Sequence, residues 1–387
     1  MRLRPLGSAE AKFIPHTIKL TDDEVSRLQH VPCDFFSTPN KIASALRVNS
    51  VTADYVFFYS YLQPKPKPGA TIWSNAQELY EVNAALLRNS LAALPVAGLK
   101  PRRILLQTGA KYYGPHTGTI RLPAIESDLR SELEPNFYYI QEDLLKAHCQ
   151  KEQTGWNVIR PSWVIGATTN AQMNAFYAFG VYAAVQAHLK KPMLFPGSFD
   201  IWQRVSFHSS AALTGCISEW AVLEEACKNK AFNSTDPHGL AWNRFWPELG
   251  RWFGVERLSL PPDEEKNMLE IRPNYGKNSP LGYGPPVVLR LAFSLTQWAN
   301  DSEIANAWKE VMTKHGLTHD PFEDVAGLFP FADASLCNPP QLSMNKACRY
   351  GWTGYIDTIE SIWVMFEEMN HLGMLPSMSA KDPRPCI

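Results

Sequence analysis

Among the seven cysteines of this 387-residue chain, at positions 33, 149, 216, 227, 337, 348 and 386, no two are spaced as Cys-x-x-Cys. An odd number without that spacing argues against a disulfide framework or a zinc ribbon, and fits reduced thiols in a cytoplasmic protein. Charge of one sign is lacking too, because 37 basic and 38 acidic residues leave a net −1. No basic surface invites nucleic acid, and no acidic tail suggests a solvating segment. Long apolar runs are missing. The basic opening MRLRPLGSAEAKF has none behind it, so it does not read as a secretory signal. Gly166–Leu189 carries no acid, lysine or arginine before its end, yet Thr168, Thr169, Asn170, Gln172, Asn174 and Gln186 interrupt it. A membrane span needs ~20 predominantly apolar residues, so this segment reads as a buried helix and no membrane partner is expected. Repeats, low-complexity tracts and a Gly-x-Ser-x-Gly nucleophile elbow are absent as well.

Aromatic residues are plentiful: 12 Trp, 14 Tyr and 19 Phe serve either an aromatic-walled cavity or an ordinary large core. From residue 20 to 166 strand-like and helix-like segments alternate. Thr21 with Glu24 is a capping-box pattern for a short helix through His30. His30–Phe36 reads as a strand, followed by a Pro/Asn turn. Ala53–Leu62 is a run of β-formers suited to a strand buried on both faces, and QPKPKPG after it is a loop. Ser74–Leu94 has helical apolar spacing, Arg103–Gln107 reads as a strand, Tyr138–Glu152 as a helix and Asn157–Ile165 as a strand. Alternation of this length predicts an α/β fold: a Rossmann-like, doubly wound parallel sheet with right-handed crossovers.

Beyond Gly166 the pattern turns helical, over Met173–His188, Ser209–Lys228, Trp242–Phe253, Pro286–Trp298, Ser302–His315 and Thr358–Leu372. Val205–His208 and Ala231–Asn233 are short strand candidates. The expected division is a sheet domain over 1–166 with 205–235 returning to it, a smaller, mostly helical substrate-binding lobe over 167–204 and 236–376, and a frayed tail over 377–387. Trp242, Phe245, Trp246 and Trp252 read as core. His315 and His319 sit at a helix end broken by Gly316, a poor metal pair, and no metal site is expected. Asp263–Lys266 reads as a solvated helix start.

Ligands of doubly wound sheets bind beyond the carboxyl ends of the strands. Lys111 follows one such end in LLQTGAKYYGP, and Tyr138 opens the next helix in EPNFYYIQEDLL. A nearby ammonium lowers a phenol's pKa, so the two can share one site and polarise a ligand oxygen. A Tyr-x-x-x-Lys helical pair is not available, because the sole match, Tyr61 to Lys65, contains Pro64.

QTGAKYYGP, EPNFYYIQEDLL, NVIRPSWVIG, AFNSTDPHGLAWNRFWPELGRWFGV and SMNKACRYGWTGYIDTIES occur here in that order. Together they resemble the progesterone 5β-reductase/iridoid synthase-like group of atypical extended short-chain dehydrogenases, its fungal members above all, from about Val31 to Leu375. The resemblance implies that Lys111 and Tyr138 are catalytic. It places Asp34 and Phe35, after Cys33, at an adenine, and Phe58, Tyr59 and Ser60 along ribose and phosphates. Thr108 and Gly109 would also touch the cofactor, while Pro161, Ser162 and Val164, in the run from Arg160 through Trp163, would face the nicotinamide. The implied chemistry is hydride transfer from NADPH to the activated C=C or the C=O of a small apolar metabolite in specialised metabolism.

One departure stands against this frame: no strand here leads into a glycine-rich turn and helix of the kind that holds a pyrophosphate. Gly282-Tyr283-Gly284 runs into two prolines, and the resemblance begins at the family's third strand. The arginines that select the 2′-phosphate of NADP would belong to the same unit. Three readings are open: a start codon placed too late, a variant with weakened cofactor binding, or loss of redox activity. Two functions are therefore carried forward, an NADPH-dependent reductase and a cofactor-poor binding or cyclisation protein. The sequence leaves the oligomeric state undetermined.

Overall fold

Four strands, β1 (Tyr55–Phe58), β2 (Arg103–Gln107), β3 (Gly155–Pro161) and β4 (Lys230–Ser234), pair in chain order and all in parallel. They form the centre of a computed structural model that describes residues 12–13, 21–64, 75–169, 173–262, 268–272, 278–336 and 340–382. Successive side chains of a strand point to opposite faces, and the packing follows that alternation. Ile104, Leu106 and Val158 enter one apolar cluster, whereas Leu105, Ile159 and Phe232 enter another on the reverse side. The first is covered by α2 (Ala76–Val96) and α3 (Phe137–Lys151), with α1 (Pro39–Val48) stacked outside α2. After β3 the chain leaves through α4 (Ala175–Leu189) and returns as α5 (Ala211–Leu223) to cover the reverse face. Helices on both faces of a parallel sheet make this a doubly wound α/β fold.

The helical part packs α4 against α6 (Trp242–Phe253), α7 (Ser302–His315), α8 (Val325–Ser335) and α9 (Thr358–His371) around one aromatic-rich core. Trp242, Phe245, Trp246 and Trp252 all lie inside it, as expected of core residues. The apolar stretch after Gly166 is the buried α4. Among the described residues no helix is long and apolar enough to cross a membrane. Ala347, Trp352 and Ile356, expected in the helical lobe, instead lie with α5 against the sheet.

Several local expectations are corrected. His30–Phe36 is no strand. The Asp34 carboxylate accepts from Phe36 N at 2.9 Å and from Ser37 Oγ at 3.1 Å, a local turn that competes with any ladder. The Pro/Asn turn is the start of α1, because Thr38 caps it and Pro39 suits a first helical position. Strand β1 is shorter than predicted and only Phe58 is buried, since β1 is the edge of the four-stranded sheet. The strand through Ile165 breaks at Trp163, whose φ of 43° is left-handed, and resumes as Val164–Ile165 beside Ser209–Ser210. Pro286–Trp298 contains the strand Leu289–Leu291 and a short helix, Leu295–Ala299, started by the Ser294 cap. Helix α8 was not anticipated. The tail is pinned as far as it is described: Ser379 N donates to Trp252 O at 2.7 Å and Arg251 donates to Asp382 O at 3.0 Å. The Asp263–Lys266 helix start lies outside the described residues.

Two buried groups carry large energetic consequences. Arg160 on β3 is paired with Glu142 on α3 at 2.8 Å, the side chains being 2% and 1% exposed. The Arg160 guanidinium also lies 3.4 Å from the centre of the Tyr112 ring. Removing one partner of a buried pair leaves an uncompensated charge. Glu142→Gln is accordingly expected to lower the unfolding free energy by about 3–5 kcal/mol, read from urea midpoints. His208 is buried beside Phe176, neither ring nitrogen has a hydrogen-bond partner, and burial pushes it down from 6.5 to about 3. It folds neutral, so its contribution is intact above pH 6.5 and is lost as the pH falls towards 3. His208→Leu should therefore gain on the wild type by up to about 1.4 kcal/mol per pH unit below that point, measured by unfolding across pH.

Candidate active site

At the carboxyl end of β2 the ladder continues for one more residue, Thr108 N donating to Ile159 O at 2.9 Å. Gly109 then runs extended into a tight turn, Ala110–Tyr113, which turns Lys111 into the protein. Gly114, at φ 80°, takes the left-handed conformation that a following turn, Pro115–Thr117, requires. The second half of the site is the start of α3, capped by Asn136.

Asn136 is buried, and its amide joins the halves. Its Nδ2 donates to Lys111 O at 2.8 Å and its Oδ1 accepts from Tyr138 N at 3.1 Å. Of the two adjacent tyrosines, Tyr139 is locked: its hydroxyl donates to Tyr112 O at 2.6 Å and accepts from Ser131 N at 2.8 Å. Tyr138 instead lays its hydroxyl over Gly109. A Cβ at Gly109 would stand 3.1 Å from that oxygen and 3.4 Å from Pro161 O. Gly109, Pro161 and the Tyr138 hydroxyl thus converge at the ends of β2 and β3, while Lys111 is tied to the start of α3 through its backbone carbonyl.

The electrostatics differ from the expectation. Lys111 Nζ donates to Glu134 Oε1 at 3.1 Å, and His116 Nε2 bonds the same oxygen. Burial pushes the Lys111 amine down, with the Glu134 charge opposing. The Tyr138 phenol is pushed up rather than down, by burial first and then by the neighbouring Tyr61. The Lys111 ammonium, held by Glu134, is not among the groups that shift this phenol, so the expected lowering of Tyr138 by Lys111 is not found. Tyr61 therefore belongs to the site and was missed as a candidate. Its ring lies 5.5 Å from that of Phe137, and its position just past the end of β1 was the available signal.

The remaining candidates divide by place. Phe35 and Phe58 pack with ring centres 6.0 Å apart, which sets the Asp34 loop beside the end of β1. Asp34 itself is exposed, its carboxylate committed to its own turn. Tyr59 turns to the reverse face, stacked with Phe57 and beside Ser218 of α5, while Ser60 is half-buried. Thr108 is buried, and its Oγ1 has no hydrogen-bond partner. Ser162 N donates to Ser209 Oγ at 2.7 Å, so that backbone group is already satisfied, while Val164 is exposed. Trp163 stacks on Phe331 of α8 at 4.4 Å, bringing the helical part to the strand ends. No group of three or more His, Cys, Asp or Glu suited to a metal ion occurs among the described residues.

A family model described as a PRISE-like Rossmann-fold domain matches residues 45–279. The chain belongs to the PRISE-like family. The matched domain and the named relatives make it a short-chain dehydrogenase/reductase type of oxidoreductase. A relative in this family, the short chain dehydrogenase gsfE of Penicillium aethiopicum, is 28% identical over 359 residues, covering 90% of this chain and 87% of its own. The 3-oxo-Delta(4,5)-steroid 5-beta-reductase of Arabidopsis thaliana is 30% identical over 303 residues, covering 76% and 70%. The (S)-8-oxocitronellyl enol synthase CYC2 of Camptotheca acuminata is 30% identical over 314 residues, covering 79% and 73%.

The Gly109 backbone is extended, at φ 177°, so alanine there costs no backbone strain while its methyl meets the Tyr138 hydroxyl. Gly109→Ala is expected to change stability by no more than about 1 kcal/mol and to displace the Tyr138 ring. Urea unfolding together with a crystal structure of the variant checks both halves.

Proposed function

We propose that this PRISE-like protein is an NADPH-dependent reductase acting on the activated C=C of an enone, or the C=O of a ketone, in a small and largely apolar metabolite. The observation that carries the reading is the Tyr138 hydroxyl over Gly109 at the end of β2, tied through Asn136 to the backbone of Lys111. The names of the relatives, a steroid 5-beta-reductase and an enol synthase among them, support the substrate class and a place in specialised metabolism.

The residues at this end of the sheet fit a nicotinamide. The Thr108 hydroxyl is a buried polar atom in want of a partner, and Gly109 leaves room that any side chain would fill. Thr108, Gly109 and Pro161 would hold that end, and Phe58, with Asp34 and Phe35, would flank the remainder. When bound, the reduced nicotinamide supplies the hydride.

The chain's own part begins with a phenol that keeps its proton. Burial pushes Tyr138 well above the ordinary phenol range, so at neutral pH it donates a hydrogen bond and does not act as a phenolate base. Donated to a carbonyl oxygen, that bond stabilises the negative charge that develops as an enone becomes an enolate. Lys111, its amine held by Glu134, would contribute positive charge to the same end of the sheet. The helical part around α4, α6, α7, α8 and α9 would supply the apolar wall that holds substrate in line and keeps water out, with the Trp163–Phe331 contact at its edge.

Loss of one oxyanion donor costs ~10²–10³ in turnover. Tyr138→Phe is expected to lose that much in NADPH-dependent enone reduction with little change in NADPH affinity. The competing reading, binding or cyclisation without redox chemistry, draws on the lack of a glycine-rich turn in the sequence. Calorimetric titration with NADPH separates them: micromolar binding supports the reductase, while no binding, or a Tyr138→Phe variant as active as the wild type, rejects it.

A further inference from the structure

Just before α3, the Glu134 carboxylate is shared. Its Oε1 accepts from Lys111 Nζ at 3.1 Å and is bonded by His116 Nε2. The three side chains come from three turns, and all are largely withdrawn from solvent: Lys111 is 8% exposed, His116 12% and Glu134 30%. Other charges nearby are occupied elsewhere, Arg130 by both oxygens of Asp143 and Arg160 by Glu142. Among the described residues, the charged groups that bear on one another here are Lys111, His116 and Glu134.

We propose that Glu134 is a positioning residue for the Lys111 amine, and that His116 loosens that hold by competing for the same carboxylate oxygen when it takes up a proton. The proposal rests on the reading above, in which Lys111 serves the reduction. With His116 neutral, the carboxylate has one cationic partner and holds it firmly. With His116 protonated, two cations face one oxygen and repel each other. The direction of each titration agrees. Burial raises the Glu134 carboxyl, yet the His116 bond and the Lys111 charge bring it down to about 2. Burial lowers His116, the Glu134 bond opposes this, and the Lys111 charge lowers it further. Charging His116 therefore requires a pH below its ordinary value.

Competitive reductive methylation of the full-length protein, with Lys111 read by mass spectrometry, reports on the amine without requiring turnover. In Glu134→Gln the carboxylate that favours the ammonium is gone. Labelling of Lys111 at neutral pH should rise several-fold, and the alkaline limb of kcat for NADPH-dependent reduction should move to lower pH. His116→Asn keeps the Glu134–Lys111 pair, so labelling stays low while an acid-side inflection of kcat disappears. Unchanged labelling in Glu134→Gln overturns the proposal, as does an acid-side inflection that survives His116→Asn. If labelling responds as expected but neither wild type nor variants oxidise NADPH with any enone, the hold on Lys111 stands and the reductase reading fails.

Discussion

The site depends on one amide. Asn136 caps α3 through its oxygen and grips the Lys111 carbonyl through its nitrogen, from a position closed to solvent. The cap fixes where the helix begins, and the second bond fixes where the lysine turn ends. The relative placement of Lys111 and Tyr138 therefore does not rely on a contact between their side chains. The Arg160–Glu142 pair completes the frame by fastening α3 to β3, which keeps Tyr138 above the Pro161 carbonyl. A preorganised donor is valuable because it need not reorient as charge develops.

The charges are distributed so that the phenol retains its proton and the amine is partly neutralised. A protonated phenol suits stabilising an enolate oxygen, since that task needs a donor more than an acid of matched strength. The same burial that shields the phenol from water makes the charge on Lys111 costly, and Glu134 offsets that cost. Burial is the leading cause of both shifts.

How much was legible in the sequence depends on the range of the forces involved. Strand β2 and helices α6 and α7 were readable to the residue, because apolar period and cap chemistry are local. The convergence of Lys111 with the start of α3 followed from the rule that parallel strands present their carboxyl ends on one side. What stayed hidden was decided between distant segments. Nothing near His116 or Glu134 in the chain announces that they meet on a lysine. Tyr61 fell inside the predicted strand Ala53–Leu62, but the strand ends at Phe58 and the Tyr61 ring packs against Phe137 instead. His30–Phe36 failed for the opposite reason, as the Asp34 side chain bonds its own following backbone and Ser37 in a local turn in place of a ladder.

The return of Ala347, Trp352 and Ile356 to the face of the sheet beneath α5 means that the two halves of the molecule are interleaved. Asn233 of β4 reinforces the interleaving, donating to Ala124 O at 3.0 Å and to Ser343 O at 3.1 Å. The helical part is consequently not a cassette. Transplanting it between relatives as one contiguous block would carry away a piece of the sheet's own cover, so a chimera that preserves the scaffold must leave 343–356 with the recipient.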